Sequence, residues 1–235
     1  MKYREFNKRI PDPKLDICRN AYLEYKDRIQ IKNEKLVIKN LGKIFDATLK
    51  IGRRKGFQAM TMRDLSRESG LSMGSLYSYF ATKEQILAAY LSQGRKIIWD
   101  VLERFIKEEN TLLHQLRIAV QVHLFMTEKL HEFFFFSYME ARHLSPEEKE
   151  RIVQSELQSE KLLADFLRKG QKKGVFKELD PALGASVIKA MLQDWYLKRG
   201  KYAKRRIQVD RYADFVMDVI TSFCVRDDKD VNPKK

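Results

Sequence analysis

At 235 residues, 44% of them hydrophobic, the chain can bury a sizeable core, which excludes a disordered tail or a small disulfide-stapled scaffold. Its 46 Lys and Arg against 32 Asp and Glu give +14, a balance that favours anionic partners. Cys18 and Cys224 form neither a disulfide framework nor a metal-ligand spacing, Met1 to Arg9 holds no apolar signal core, and no stretch approaches the ~20 apolar residues of a membrane span, so a soluble cytoplasmic protein is expected.

Only ten glycines and five prolines punctuate the chain, and apolar residues recur at three- and four-residue steps, which predicts an all-α fold. Asp12-Pro13 opens a first short helix with Leu15, Cys18, Tyr22 and Ile29 on one face. A second helix, from about Glu34 to Arg54, carries Val37, Leu41, Ile44, Phe45, Thr48 and Ile51 and stops at Lys55-Gly56. Thr61 followed by Asp64 has the form of an N-cap and its reciprocal acid, and that helix ends near Ser69-Gly70. Ser72 caps a helix through Tyr79, and Thr82 with Gln85 opens a long one toward residue 108. Further on, Ser145-Pro146 with Glu148 starts a helix that ends at Lys169-Gly170 or Lys173-Gly174, Asp180-Pro181 starts the next, and Tyr212 to Phe223 lie on a last one.

The two short helices between Thr61 and Phe80, joined at Gly70-Leu71, form a helix-turn-helix whose second helix fits a DNA major groove. Leu65, Leu71 and Leu76 are spaced to meet between the helices, with Phe80 in the core, which leaves Ser72, Met73, Gly74 and Ser75 free to approach bases. Tyr77 offers a ring for a thymine methyl and a hydroxyl for phosphate, Lys83 adds charge at the next helix start, and Thr61 and Arg63 can bond phosphates. Charge agrees: residues 1–95 hold 20 basic against 10 acidic residues, whereas 96–235 hold 26 against 22.

Gly56-Phe57, the run Thr61 to Ser66, the run Gly70 to Phe80, and Lys83-Glu84 resemble the DNA-binding region of the tetracycline-repressor (TetR) family over about residues 34–92. The resemblance implies an all-helical homodimer that binds a palindromic double-stranded operator through an N-terminal three-helix unit. It also implies a larger C-terminal domain that takes a small effector and dimerises through its last two helices. Carried over by position, the DNA contacts fall on Thr61, Met62, Arg63, Met73, Gly74, Ser75, Tyr77, Tyr79 and Lys83, with Tyr79 standing where the family often has histidine. The division expected is residues 1–32 as an arm, 33–92 as the DNA-binding domain, 93–226 as the effector and dimerisation domain, and 227–235 as a charged tail.

In the C-terminal half, the run from His131 to Glu140 spreads aromatics around a whole helix, so that helix must be enclosed. The resemblance places a cavity among the helices here, with Phe105, His123, Phe134, Tyr138, Arg142, Phe166 and Trp195 as its candidate lining. Aromatic excess suggests a hydrophobic effector, the Phe133–Phe136 run suits an acyl chain, and the segment Gly170 to Pro181 loosely resembles family members that respond to fatty acyl-CoA. Two Glu-x-x-His pairs, Glu128 with His131 and Glu140 with His143, match the spacing of di-iron bundles, but they start only twelve residues apart and cannot face each other from opposed helices. No metal, cofactor or catalytic constellation is expected. The competing readings are a helical module that binds acidic proteins or a membrane surface, and a metal-dependent bundle enzyme.

Overall fold

The computed structural model describes residues 1–27, 29, 33–140 and 144–225, so Arg142, His143 and the tail at 227–235 lie outside the described residues. Twelve α-helices are found among them: α1 (Tyr3–Arg9), α2 (Pro13–Tyr25), α3 (Glu34–Lys55), α4 (Met62–Ser69), α5 (Met73–Tyr77), α6 (Lys83–Lys107), α7 (Leu112–Lys129), α8 (His131–Glu140), α9 (Pro146–Lys172), α10 (Pro181–Leu197), α11 (Arg199–Lys204) and α12 (Val209–Cys224). The chain divides into two compact units. One comprises Met1–Arg9, Asp100–Lys129 and the described part of Val153–Lys235, the other the described parts of Ile10–Trp99 and Leu130–Ile152.

In the first unit α7 packs against α10 and α12, and α1 joins them. Phe6 is fully buried, its ring 5.5 Å from both Phe105 and Phe125. Burying each such ring contributes about 1.5–3 kcal/mol, so α1 belongs to this core. Its start is tied down by Asp210, which accepts from the Tyr3 backbone N–H at 2.8 Å, and by a Lys2–Asp214 ion pair. Across α10, α11 and α12, the rings of Trp195, Tyr202 and Tyr212 cluster with centroids 4.8–5.0 Å apart, tilted or edge-on to one another.

In the second unit α3 is the spine, packed by α2, α4 and α8. Asp12 caps α2 by accepting from the Leu15 N–H at 3.0 Å, as the Asp-Pro signal requires. Of the expected face, Cys18 and Ile29 are buried while Leu15 and Tyr22 are half-buried, and α2 buries Pro13, Ile17 and Ala21 beside Cys18 instead. Nor is α8 enclosed all round: Phe133 and Phe136 are buried, while Tyr138 and Met139 are nearly half exposed. The two buried rings lie in notches left by glycines. A Cβ on Gly94 would stand 2.0 Å from the Phe133 ring, and one on Gly52 would stand 2.2 Å from Phe136.

Candidate nucleic-acid interface

The segment from Thr61 to Phe80 folds through bonds its own residues supply. Thr61 Oγ1 accepts from the Asp64 N–H at 3.1 Å and the Asp64 carboxylate accepts from the Thr61 N–H at 2.9 Å, a closed capping box. Lys55 at 2.7 Å and the Thr61 donors hold the Asp64 carboxyl well below the usual carboxylate range. Gly70, with φ +69°, turns the chain through the left-handed region that side chains disfavour, and Ser66 Oγ donates to the Leu71 carbonyl at 2.6 Å across the corner. Ser72 Oγ then accepts from the Ser75 N–H at 3.1 Å to start α5. Leu65 and Leu76 are fully buried where the helices cross, while Leu71 is only half-buried.

What is left outward is the surface expected to meet DNA. Arg63, Ser72, Gly74 and Tyr77 are exposed, Tyr77 by 51%, while Met62, Met73 and Ser75 are half-buried. Both acids of α4 are neutralised from α3: Asp64 by Lys55, and Glu68 by Lys50 and Arg54. Arg63 and Arg67, one turn apart and exposed, form no ion pair among the described residues, so the outer face of α4 is net positive. Arg67 escaped the sequence reading, although its i,i+4 spacing from Arg63 was there to be used.

Three expected contacts are otherwise engaged. Tyr79 is 5% exposed, and its hydroxyl accepts from Asn40 Nδ2 of α3 at 2.9 Å, so in this structure it braces α5 against α3 from inside. The Lys83 ammonium donates to the carbonyls of Phe57, Gln58 and Met60 at 2.8–3.0 Å and sits over the Phe57 ring, which uses all three of its N–H groups to staple the loop before α4. The Thr61 hydroxyl is committed to Asp64 as both donor and acceptor.

The expected effector lining is dispersed. Phe105, His123, Phe166 and Trp195 belong to the first unit, Phe134 and Tyr138 to the second. Two of these rings are structural. Phe105 is covered by Phe6 and by the Arg9 guanidinium 3.9 Å above its ring, while Trp195 is fully buried, flanked by two tyrosines, and donates to Glu128 at 3.1 Å. Glu128 also receives Arg199 through two bonds of 2.6–2.8 Å, so its carboxylate is spent on holding α7 to α10 and α11. Phe133 and Phe136 fill glycine notches and are not open to an acyl chain. Phe166 is buried and His123 half-buried in the first unit.

Beside them is a group the sequence reading passed over. Lys189 of α10 is 8% exposed, and its ammonium donates to Ser159 Oγ of α9 at 2.7 Å. Burial lowers it from 10.5 to about 8 against the opposing pull of Glu156 and Glu160. Burial first, then the Lys189 charge, hold His123 of α7 well below its ordinary 6.5, so the imidazole is neutral. The Gln121 carboxamide oxygen of α7 is also buried and has no hydrogen-bond partner. The signal was a lysine between Ile188 and Ala190 in a helix otherwise apolar on that side.

Two family models match the chain: "Bacterial regulatory proteins, tetR family" over residues 44–90 and "Tetracyclin repressor-like, C-terminal domain" over residues 109–220. A fatty acid metabolism regulator protein of Bacillus subtilis (strain 168) is 23% identical over 164 residues, spanning 68% of this chain and 84% of the relative. Among solved structures, the ketosteroid transcriptional regulator KstR2 of Mycobacterium tuberculosis superposes with a TM-score of 0.69 at 18% identity, covering 85% of this chain and 98% of that one. AibR, in complex with isovaleryl coenzyme A and operator DNA, superposes with a TM-score of 0.66 at 17% identity, covering 78% and 97%.

Proposed function

The chain belongs to the tetR family of bacterial regulatory proteins, and from that premise we propose that it is a homodimeric repressor that binds a palindromic operator and is released by an apolar acyl effector. DNA-binding transcriptional regulation comes with the family. The observation that carries the proposal is the reading face itself: a two-helix crossing locked by Leu65 and Leu76, with Arg63, Ser72, Met73, Gly74, Ser75 and Tyr77 left outward. Side chains of this kind at the start of a short second helix suit base edges, and the unpaired Arg63 and Arg67 suit phosphates. The cytoplasm is the compartment such a partner requires.

Dimerisation is supported by the last helices. Leu183 and Val187 of α10 and Phe215, Val219 and Phe223 of α12 recur at four-residue steps and are 38–67% exposed. Apolar stripes of this kind on two packed helices are a cost in water that a second copy removes. Two reading helices would then meet half-sites about 34 Å apart or a multiple of it. For the effector, the B. subtilis relative is named for fatty acid metabolism and the AibR structure holds isovaleryl coenzyme A, while here Lys189 puts a buried cation near His123 inside the first unit.

Selection of binding sites from random duplex DNA tests the reading, and an enriched palindrome is the expected result. A series of acyl-CoAs added to that complex should then release it; no palindrome would sink the regulator reading, and no release by any of them the effector. Phe215→Glu should give a monomer by sedimentation and lose the palindrome.

A further inference from the structure

Inside the second unit, α2 and α3 leave between them a cleft of about 530 Å³, within the range of small-ligand sites. Its floor is apolar: Leu15, Cys18, Ile38 and Phe45 line it. Gly42 also lines it, where a Cβ would make only an ordinary contact with the Cys18 sulfur, at 3.8 Å. This cleft is no part of the effector interior of the first unit, and the argument for it does not rest on that reading.

Charge at its mouth is one-sided. Most of the charged groups around it already have partners: Asp12 caps α2 through the Leu15 N–H, Lys14 stands 3.6 Å from Asp46, and Arg19 stands 3.5 Å from Asp16. Lys35 and Lys39 do not. They lie one turn apart on α3, exposed, with no ion pair among the described residues, and two like charges at that spacing repel each other. At the inner end is Tyr90, 3% exposed overall, which lines the same cleft and makes no hydrogen bond among the described residues, so its hydroxyl is open to a ligand's oxygen. Burial, and then the negative charge of Asp46, push its phenol up, so it is a donor at every ordinary pH.

We propose that this cleft binds an amphipathic carboxylate: an apolar body against Leu15, Ile38 and Phe45, the carboxylate between Lys35 and Lys39, and an oxygen at the far end that accepts from the Tyr90 hydroxyl. The two lysines read charge, the floor reads length, and Tyr90 reads a second oxygen. A cationic amphiphile of the same length would meet Lys35 and Lys39 with like charge and is excluded.

Calorimetric titration of the full chain, free of DNA, with 10-hydroxydecanoate, decanoate and decylamine tests this. Expected are saturable binding of one 10-hydroxydecanoate per chain, weaker binding of decanoate and none of decylamine. Gly42→Leu, which fills the cleft, should abolish binding, and Lys35→Gln with Lys39→Gln should weaken it by about tenfold or more. Tyr90→Phe should weaken 10-hydroxydecanoate to the level of decanoate and leave decanoate unchanged. If Gly42→Leu fails to fold, the two exposed lysine changes still decide, because neither holds a structural partner. Binding unchanged by the lysine changes, equal binding of decylamine, or no binding of either acid overturns the proposal.

Discussion

The reading segment from Thr61 to Lys83 and the interior of the first unit around Lys189 treat polar side chains in opposite ways. In the reading segment the helix starts and the corner are shaped by bonds between residues a few positions apart and near water: Thr61 with Asp64, Ser72 with Ser75, Ser66 with Leu71. Such bonds are worth about 0.5–1.5 kcal/mol each, and they fix a shape from which Arg63 and Tyr77 project unpaired. In the interior, Lys189 and His123 are held where charge is expensive, with partners from other helices. Local bonds shape a surface for a partner that brings its own charge, whereas a buried ammonium stores a cost that an anionic ligand can relieve.

The largest expected effect comes from that stored cost. An ammonium lowered from 10.5 to about 8 represents on the order of 3 kcal/mol. The folded pKa is the lower one, so between pH 8 and pH 10.5 the unfolded chain holds a proton the folded chain has released, and stability rises with pH across that window. Below pH 8 both states carry the charge and the folded state bears its full cost. Lys189→Met should therefore stabilise the protein most at pH 7, with the difference from wild type shrinking toward pH 10 in denaturant midpoints. A difference that does not change with pH would mean that Lys189 is not desolvated, and the contrast between the two regions would collapse.

Next in size is Lys83→Met. It removes three donors from the loop carbonyls of Phe57, Gln58 and Met60, and should cost about 2 kcal/mol of stability. Arg63→Ala, by contrast, has no bond inside the protein to lose. It should leave the melting temperature unchanged and weaken operator binding about tenfold, with a shallower salt dependence. Loss of stability from Arg63→Ala, or of DNA binding alone from Lys83→Met, would exchange their roles.

The same contrast explains what could be read from the chain. Capping boxes, Asp-Pro starts and the Gly70 corner are local, so residues a few positions apart announce them, and α2 to α6, α9, α10 and α12 were legible, whereas the short α11 was not. The box expected at Ser145 closes only on one side: Ser145 accepts from the Glu148 N–H, but the Glu148 carboxylate is taken by Arg151 and Arg95. Helix α1 carries no such punctuation and was read only as arm, since what fixes it is Phe125, Phe105 and Asp210, more than ninety residues away. Lys189 left only the signal of one charge on an apolar helix face, and the internal partners of Tyr79 and Lys83, on α3 and in the loop after it, lie too far along the chain to be announced locally.

Tyr79 gives the smallest effect and the sharpest discrimination. Its hydroxyl is the acceptor for Asn40 Nδ2, and Asn40 is 6% exposed, so Tyr79→Phe leaves a buried amide donor without its partner and should cost about 1 kcal/mol. The ring stays, packed where it was, so α5 keeps its seat and operator affinity should not change at fixed salt. A phosphate contact predicts the reverse, unchanged stability with weaker binding to every sequence. Measuring the melting temperature and the operator affinity of this one variant therefore decides whether the family's phosphate-contact position has here been turned inward, leaving Arg63, Arg67 and Tyr77 as the groups that meet the backbone.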